Sequence, residues 1–185
     1  MNIMKIVFKA LFILFIYILP LNAACDFKVN IGDSIKEFEK HFNHPFQMLP
    51  GTFMLPIMST ELCPNDNLNE NIAIEFILLG EDLDKSNVAA INMITLNDGF
   101  NTEANKLTLM NYAKKVYGSF DTGNNPQLYN NFHVYEAEPK VIIYKRMKTE
   151  EEMIEEVIYI SNKKWDTKLG EYYNELEEEE EKLEN

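Results

Sequence analysis

The chain has 185 residues, 46% of them apolar, which is enough for one domain with a substantial core. Its formal net charge is −13 at pH 7. Because proteins bind phosphate backbones mainly by neutralising them with Lys and Arg, this charge argues against nucleic acids and anionic lipid surfaces as partners. The sequence contains no Gly-rich phosphate loop and no G-x-S-x-G element, so the common nucleotide-binding and serine-hydrolase motifs are excluded.

The N-terminus has the layout of an exported chain. Lys5 and Lys9 precede the apolar run 10–19, Pro20 ends that run, and small residues follow. A run of about 10 apolar residues is shorter than the roughly 20 that span a bilayer. We therefore predict a cleavable signal peptide at 1–23, with an uncleaved membrane anchor as the alternative. The mature chain is then periplasmic or secreted and has no transmembrane segment.

Two cysteines, Cys25 and Cys63, lie beyond this signal. In an oxidising compartment such a pair usually forms a disulfide, which we predict here. The alternative for Cys25 is lipidation, because Ala23-Ala24-Cys25 resembles the lipobox of bacterial lipoproteins. Asn22 stands where the lipobox has an aliphatic residue, so a lipid anchor at Cys25 is disfavoured. The two fates exclude each other because both use the same sulfur.

Apolar spacing in the mature chain predicts alternating helices and strands. Ile35, Phe38 and Phe42 recur at helical spacing after Ser34, which stands three residues before Glu37 as in a capping box. Strands are predicted at 72–78, 88–96, 132–137, 141–147 and 156–161, and further helices at 102–117 and 165–183. This order predicts an α+β fold, an antiparallel sheet with helices packed on one side, and it suggests two tandem αββ-type units.

The C-terminal segment is strongly acidic and includes an unbroken run of glutamates at 177–181. Like charges one turn apart weaken a helix, and blocks of like charge tend to stay mobile. The predicted organisation is therefore a signal peptide at 1–23, a single α+β domain at 24–170 and an acidic C-terminal tail at 171–185.

The connection between the first helix and the first predicted strand combines turn-forming and apolar residues. Proline, glycine and asparagine at 46–70 predict an irregular loop. Its apolar side chains either fold back on the sheet or cover a partner, and methionines suit adaptable binding surfaces. We therefore predict a contact surface in 46–58, formed by Phe46, Met48, Phe53, Met54 and Met58.

One residue set has the spacing of metal ligands. Glu37, His41 and His44 bring a carboxylate and two imidazoles together, a combination that zinc accepts. Histidines are equally suited to a helix C-terminus, and the sequence has no H-E-x-x-H and no fourth ligand. We predict no metal, no cofactor and no catalytic residue. The carboxylates at 81–84 are assigned to solvent and His133 to strand packing.

The second half of the chain is rich in aromatic strand residues. Tyrosines are frequent at interfaces because the ring is apolar and its hydroxyl polar. They are also ordinary strand formers, and we favour packing across strands over an interface. The residues concerned are Tyr129, Phe132, Tyr135, Tyr144 and Tyr159.

The segment 31–45, from Ile31-Gly32-Asp33-Ser34 to Pro45, resembles the opening of the SmpA/OmlA, or BamE-like, family of small outer-membrane assembly lipoproteins. In that family a similar turn begins a helix that ends near a proline, and strands follow. The resemblance implies a non-catalytic binding module. We therefore predict an exported, periplasmic or envelope, binding or assembly protein whose partner is another envelope protein. The alternative is a small secreted hydrolase with dispersed catalytic residues.

Overall fold

Strands with alternating apolar residues make up the centre of the molecule. The computed structural model describes residues 25–49, 51–63, 68, 72–95, 108–118, 131–137, 139–148 and 154–184. The predicted signal peptide at 1–23 lies outside these residues. Within the described ranges, no helix combines the length and the apolar character needed to cross a membrane.

The order of elements follows the sequence prediction closely from residue 72 onward. Every strand predicted there is confirmed, and so are the described part of the helix before 118 and the C-terminal helix. The elements are α1 Ile35–Phe38, β1 Gln47–Leu49, β2 Thr52–Met58, α2 Ser59–Leu62, β3 Ile72–Leu79, β4 Asn87–Thr95, α3 Thr108–Tyr117, β5 Asn131–Ala137, β6 Lys140–Lys148, β7 Ile154–Asn162 and α4 Lys163–Glu184.

The seven strands form one antiparallel sheet in the order β1-β2-β3-β4-β7-β6-β5. Strands β1 to β4 are sequential neighbours, as are β5 to β7, and the two groups join through β4 and β7. At this junction Ile91 pairs with Ile160, and Ile94 pairs with Val157. The predicted α+β class with an antiparallel sheet is confirmed.

The main core lies on one face of this sheet. Side chains alternate between faces along a strand, and Ile74, Phe76 and Leu78 of β3 all point to this face and are fully buried. Helix α1 and the residues directly after it cover these side chains, since the rings of Phe38 and Phe42 lie 5.2 and 5.1 Å from the Phe76 ring. Helix α3 and residues 25–29 complete this layer.

Helix α4 covers the opposite face. Ile77, Leu79 and Ala90 point to this side and contact Trp165 and Leu169 of α4. The helices therefore lie on both faces of the sheet, which corrects the prediction that they pack on one side. The residues at this contact alternate with the main-core residues along the same strands, so burial on both faces follows from the pleat.

Helix α4 is continuous across the predicted boundary between domain and tail. The Asn162 side chain caps its first turn by accepting the Trp165 N–H at 3.1 Å. The helix then runs through residue 170 to Glu184. Tyr172, which falls within the predicted tail, lies against Gly51 at the turn between β1 and β2. Part of the predicted tail is thus attached to the sheet.

The start of α1 is set by pairing with β4 and not by the predicted capping box. The Ser34 side chain makes no cap hydrogen bond. Ser34 instead forms an antiparallel bridge with Asn87, and the Gly32 N–H donates to the Val88 carbonyl at 2.7 Å. Asp33 accepts the Asn30 N–H at 2.7 Å, which closes the preceding turn. The helix is a single turn, shorter than predicted.

Residues 46–58 form a regular hairpin, so the prediction of an irregular loop there is wrong. Strands β1 and β2 pair over three residues on each side. Phe53, Leu55 and Ile57 alternate into the main core. Pro56 obscured this pattern, because proline usually breaks a strand. Proline is tolerated here because the pairing of β1 with β2 ends at Met54. On the β1 side of Pro56, no described strand is therefore present that would need a backbone N–H from this position.

We expect the acidic end of α4 to contribute little to stability and its first turns to contribute much. A chain ending at residue 176 should melt within about 2 °C of the full chain, because the removed residues whose burial is described are all exposed.

Trp165→Ala should lower the free energy of unfolding by about 3 to 5 kcal/mol, since Trp165 is only 8% exposed. Circular dichroism melts of both variants measure this, and a drop above about 5 °C on truncation would show that the acidic end is docked.

Candidate functional site

Large apolar side chains are exposed at one edge of the sheet. Among the described residues, the large apolar side chains with high exposure are Met48 at 79%, Leu49 at 48% and Tyr173 at 44%. Two of them lie on β1, which pairs only with β2 in the described part of the sheet. An edge strand presents N–H and C=O groups to any strand added beside it, and natural edges are often protected by proline or charge. Strand β1 carries neither.

Helix α4 holds the hairpin that carries this edge. Gly51 has a φ of +58°, and a Cβ at this position would overlap the phenol of Tyr172. Glycine therefore serves both the backbone conformation and the close approach of the helix. The Tyr173 ring lies 5.7 Å from the Tyr172 ring. The contact brings the middle of α4 next to the turn that follows β1.

An open groove of about 350 Å³ separates this turn and the end of β3 from α4. Leu79 and Tyr172 are its large apolar lining residues, and three glutamates against one lysine make it acidic. The lining residues are Gly51, Leu79, Gly80, Glu81, Lys168, Glu171, Tyr172 and Glu175. We call β1 together with this groove the edge site.

The structure separates the residues predicted as a contact surface. Phe53 is 8% exposed and belongs to the main core. Phe46 is half-buried at the margin of the same core. Met54 and Met58 are half-buried on β2, and Met48 is the most exposed of the set. Of this predicted surface, Met48 is the side chain that the structure leaves open to a partner.

Cys25 and Cys63 form the predicted disulfide, with Cα atoms 4.4 Å apart. Both are buried, and the bridge attaches the N-terminal segment to the end of α2. The Cys25 N–H also donates to the Tyr112 hydroxyl of α3 at 3.0 Å, and the Asp26 N–H donates to the Leu62 carbonyl at 2.9 Å. The segment after the predicted cleavage site is therefore tied to two helices.

A buried polar cluster lies where β6 and β7 meet the start of α3. The Glu156 carboxylate accepts hydrogen bonds from the first three N–H groups of α3 at 2.9, 3.3 and 3.2 Å. It also accepts the Tyr144 hydroxyl at 2.9 Å, and Arg146 is its cross-strand partner in the register. A carboxylate is favoured there because a helix N-terminus carries partial positive charge. The cluster thus positions α3 on the sheet.

The electrostatics of this cluster are dominated by burial. Burial raises the pKa of Glu156, while the hydrogen bonds from Tyr144 and α3 and the charge of Arg146 act in the opposite direction. Burial also raises the pKa of Tyr144, with the neighbouring Glu156 carboxylate adding to the effect. Glu156 is 2% exposed, and Tyr144 and Arg146 are fully buried, so these groups face the interior.

The residues with metal-ligand spacing make other contacts. The Glu37 carboxylate pairs with Lys40. His41 lies beyond α1, where its ring is 6.4 Å from the Phe42 ring, and His44 is exposed. Among the residues that the structure describes, no group of three or more His, Cys, Asp or Glu side chains is placed to hold a metal ion.

The other sequence candidates are dispersed over the fold. Lys85 pairs with Glu81 at 3.4 Å and with Asp82 at 3.3 Å in the connection between β3 and β4. The Tyr159 hydroxyl donates to Asp166 of α4 at 2.9 Å. Phe132, His133 and Tyr135 lie in β5, as predicted, and Tyr129 lies outside the described residues. The described tyrosine side chains of β6 and β7 therefore pack within the fold.

Sequence reasoning missed Arg146 and Glu156 as interior residues. The signal was available, because Arg146 continues the period-two series of Ile142 and Tyr144 in β6.

Comparison with protein-family models, with curated proteins and with solved structures finds no match. Functional inference for this chain therefore rests on its own geometry.

We expect Glu156 to stabilise the fold through α3. Glu156→Gln should lower the free energy of unfolding by about 1 to 3 kcal/mol. Glu156→Ala should lower it by about 3 to 5 kcal/mol, since it leaves buried donors and a buried arginine without the carboxylate. Urea denaturation measures both. Glu155→Gln, on the neighbouring residue of the same strand, is the control and should change stability by less than about 0.5 kcal/mol. Equal effects at 155 and 156 would contradict the role of the cluster.

Glu75 should make stability depend on pH. Burial raises the pKa of its half-buried carboxyl above the ordinary 4.5. The folded state then binds the proton more tightly than the unfolded state, so this stabilising contribution is complete below pH 4.5 and is lost as pH rises above it. Glu75→Gln should therefore melt at a higher temperature than the parent at pH 7, and the difference should shrink towards pH 4. The exposed Glu39→Gln serves as control, and a difference independent of pH would contradict the assignment.

Proposed function

We propose that this chain is an exported, non-catalytic protein that binds another envelope protein through edge strand β1. The observation that carries the proposal is the 79% exposure of Met48 and the 48% exposure of Leu49 on a strand that has one neighbouring strand, β2, among the described residues. Both side chains flank the edge of the strand, where a further strand added beside β1 would cover them. An edge strand without protecting charge or proline also favours addition of a further strand.

The cysteine pair supports the exported part of the proposal. Disulfides persist in oxidising compartments and are rare in reducing ones. The Cys25–Cys63 bridge is buried and closes a separation of 38 residues, which the loop-entropy model relates to about 3 to 4 kcal/mol of stability. The bridge also occupies the Cys25 sulfur that a lipid would need. It therefore favours a periplasmic or secreted chain without a lipid anchor.

The position of β1 supports the binding part of the proposal. Tyr172 of α4 contacts Gly51 directly after β1, so the hairpin is held against the helix. A partner would then meet a preformed edge, and preorganisation reduces the entropy that binding costs. Phe53, the β2 residue opposite Met48, is buried in the main core, whereas Met48 is exposed, so β1 can accept a partner without drawing on that core.

A photo-crosslinking amino acid at Met48, introduced into the full chain in the cells that naturally make it, tests this function. We expect the protein in an exported fraction, without residues 1–23, with its cysteines labelled only after reduction, and joined to a discrete envelope protein. The control places the same amino acid at Thr60, an exposed residue of α2. Retention of the signal segment in the cytoplasm, or identical adducts from both positions, would contradict the proposal.

A further inference from the structure

The chemistry of the edge site identifies a class of partner. We propose that the edge site binds an extended cationic segment of another protein, which adds as a strand to β1 and places lysine or arginine side chains in the acidic groove. This inference rests on the proposed function and deepens it. Strand addition supplies main-chain hydrogen bonds, and the side chains of the added strand supply specificity.

Strand β1 offers an apolar side chain on each face of the sheet. Met48 is opposite Phe53, a main-core residue, and Leu49 is opposite Thr52. Because successive residues of a strand point to opposite faces, Met48 and Leu49 flank the edge of β1, which no other described strand covers, from above and below. A strand added there would place apolar side chains against both, at the cross-strand distances that stabilise paired strands.

The acidic groove begins within reach of the same edge. Gly51 lines the groove and lies two residues after Leu49, so their Cα atoms are at most about 7 Å apart. Beyond Gly51 the groove presents Glu171 and Glu175 on α4, and Glu81, which pairs with Lys85, also lines it. A long basic side chain on the added strand can therefore reach these carboxylates while its aliphatic stem covers Tyr172.

The charge of the chain selects a basic partner over a second copy. The net charge is −13, and α4 continues from the groove into the glutamates at 177–181. Two copies meeting at β1 would bring two acidic grooves together, and like charges repel. A cationic segment is attracted by the same field. Strand β1 has only three residues, so few main-chain hydrogen bonds form and the charge contribution is decisive.

Labelled peptides of alternating valine and lysine, valine and serine, and valine and glutamate, each of about eight residues, test the inference. They are titrated against the oxidised chain 24–185 by fluorescence anisotropy. We expect the lysine peptide to bind about tenfold more tightly than the serine peptide, the effect of two or three exposed ion pairs. This difference should shrink as salt is raised above physiological ionic strength. The glutamate peptide should bind weakest.

Variants separate the groove from the net charge. Glu171→Gln with Glu175→Gln should weaken the lysine peptide about tenfold and leave the serine peptide unchanged. The matched control is Glu177→Gln with Glu180→Gln, which removes the same charge from exposed positions of the same helix outside the groove. It should weaken the lysine peptide by less than about twofold. Met48→Ser with Leu49→Ser should weaken both peptides. Circular dichroism melts confirm that these surface variants fold.

Several outcomes would overturn the inference. Equal affinity for the lysine and serine peptides, or equal effects of the groove and control variants, would show that charge in the groove does not select the partner. Binding of no peptide would overturn strand addition of a cationic segment. Self-association of the chain, measured by light scattering and abolished by Met48→Ser with Leu49→Ser, would make a second copy the occupant. In each case crosslinking at Met48 still decides separately whether β1 binds a partner.

Discussion

The antiparallel pairing of β4 with β7 is the contact on which the rest of the structure depends. It joins strands β1 to β4, which are neighbours in sequence, to strands β5 to β7. Side chains extend the pairing at both ends. The Glu156 N–H donates to the Thr95 hydroxyl at 2.8 Å, and the Ser161 hydroxyl donates to the Ala89 carbonyl at 2.7 Å. These residues are distant in the chain, so among the described strand pairs this one closes the longest stretch of sequence.

Both layers of helices are positioned by this central pair. On one face, Glu156 of β7 accepts the first N–H groups of α3 and so fixes the helix over the main core. On the other face, α4 follows β7 directly and contacts Ala90 of β4 through Trp165. The small side chain at Ala90 lets the indole approach the sheet. Strand β4 is therefore covered on both faces, which explains its nearly continuous apolar sequence.

The location of the edge site follows from the same arrangement. With β4 and β7 at the centre, β1 is placed at an outer edge, where it has a single neighbouring strand among the described residues. Helix α4 crosses the second face to reach Gly51, so its acidic residues come to lie beside that edge. The combination of exposed apolar side chains and carboxylates is thus produced by elements from opposite ends of the described chain.

Local patterns predicted much of this fold because strand alternation is a property of neighbouring residues. Ile74, Phe76 and Leu78 alternate in sequence and are buried in the structure, and β6 and β7 were located in the same way. The hairpin at 46–58 was missed because Pro56 and the turn residues outweighed the alternation of Phe53, Leu55 and Ile57. Its exposed member, Met48, was identified as a contact residue for its composition, not for its position on an edge strand.

The sequence by itself determined the features that depend on residue type and local spacing: the fold class, the pairing of its two cysteines and the periods of most strands and helices. Only the tertiary structure decided which face α4 covers, how Arg146 and Glu156 come opposite each other and which apolar side chains stay exposed. The physical reason is that register and strand order are set by contacts between distant residues. A shift of one residue in the pairing of β6 with β7 would turn Arg146 and Glu156 to opposite faces, although the sequence of each strand would be unchanged.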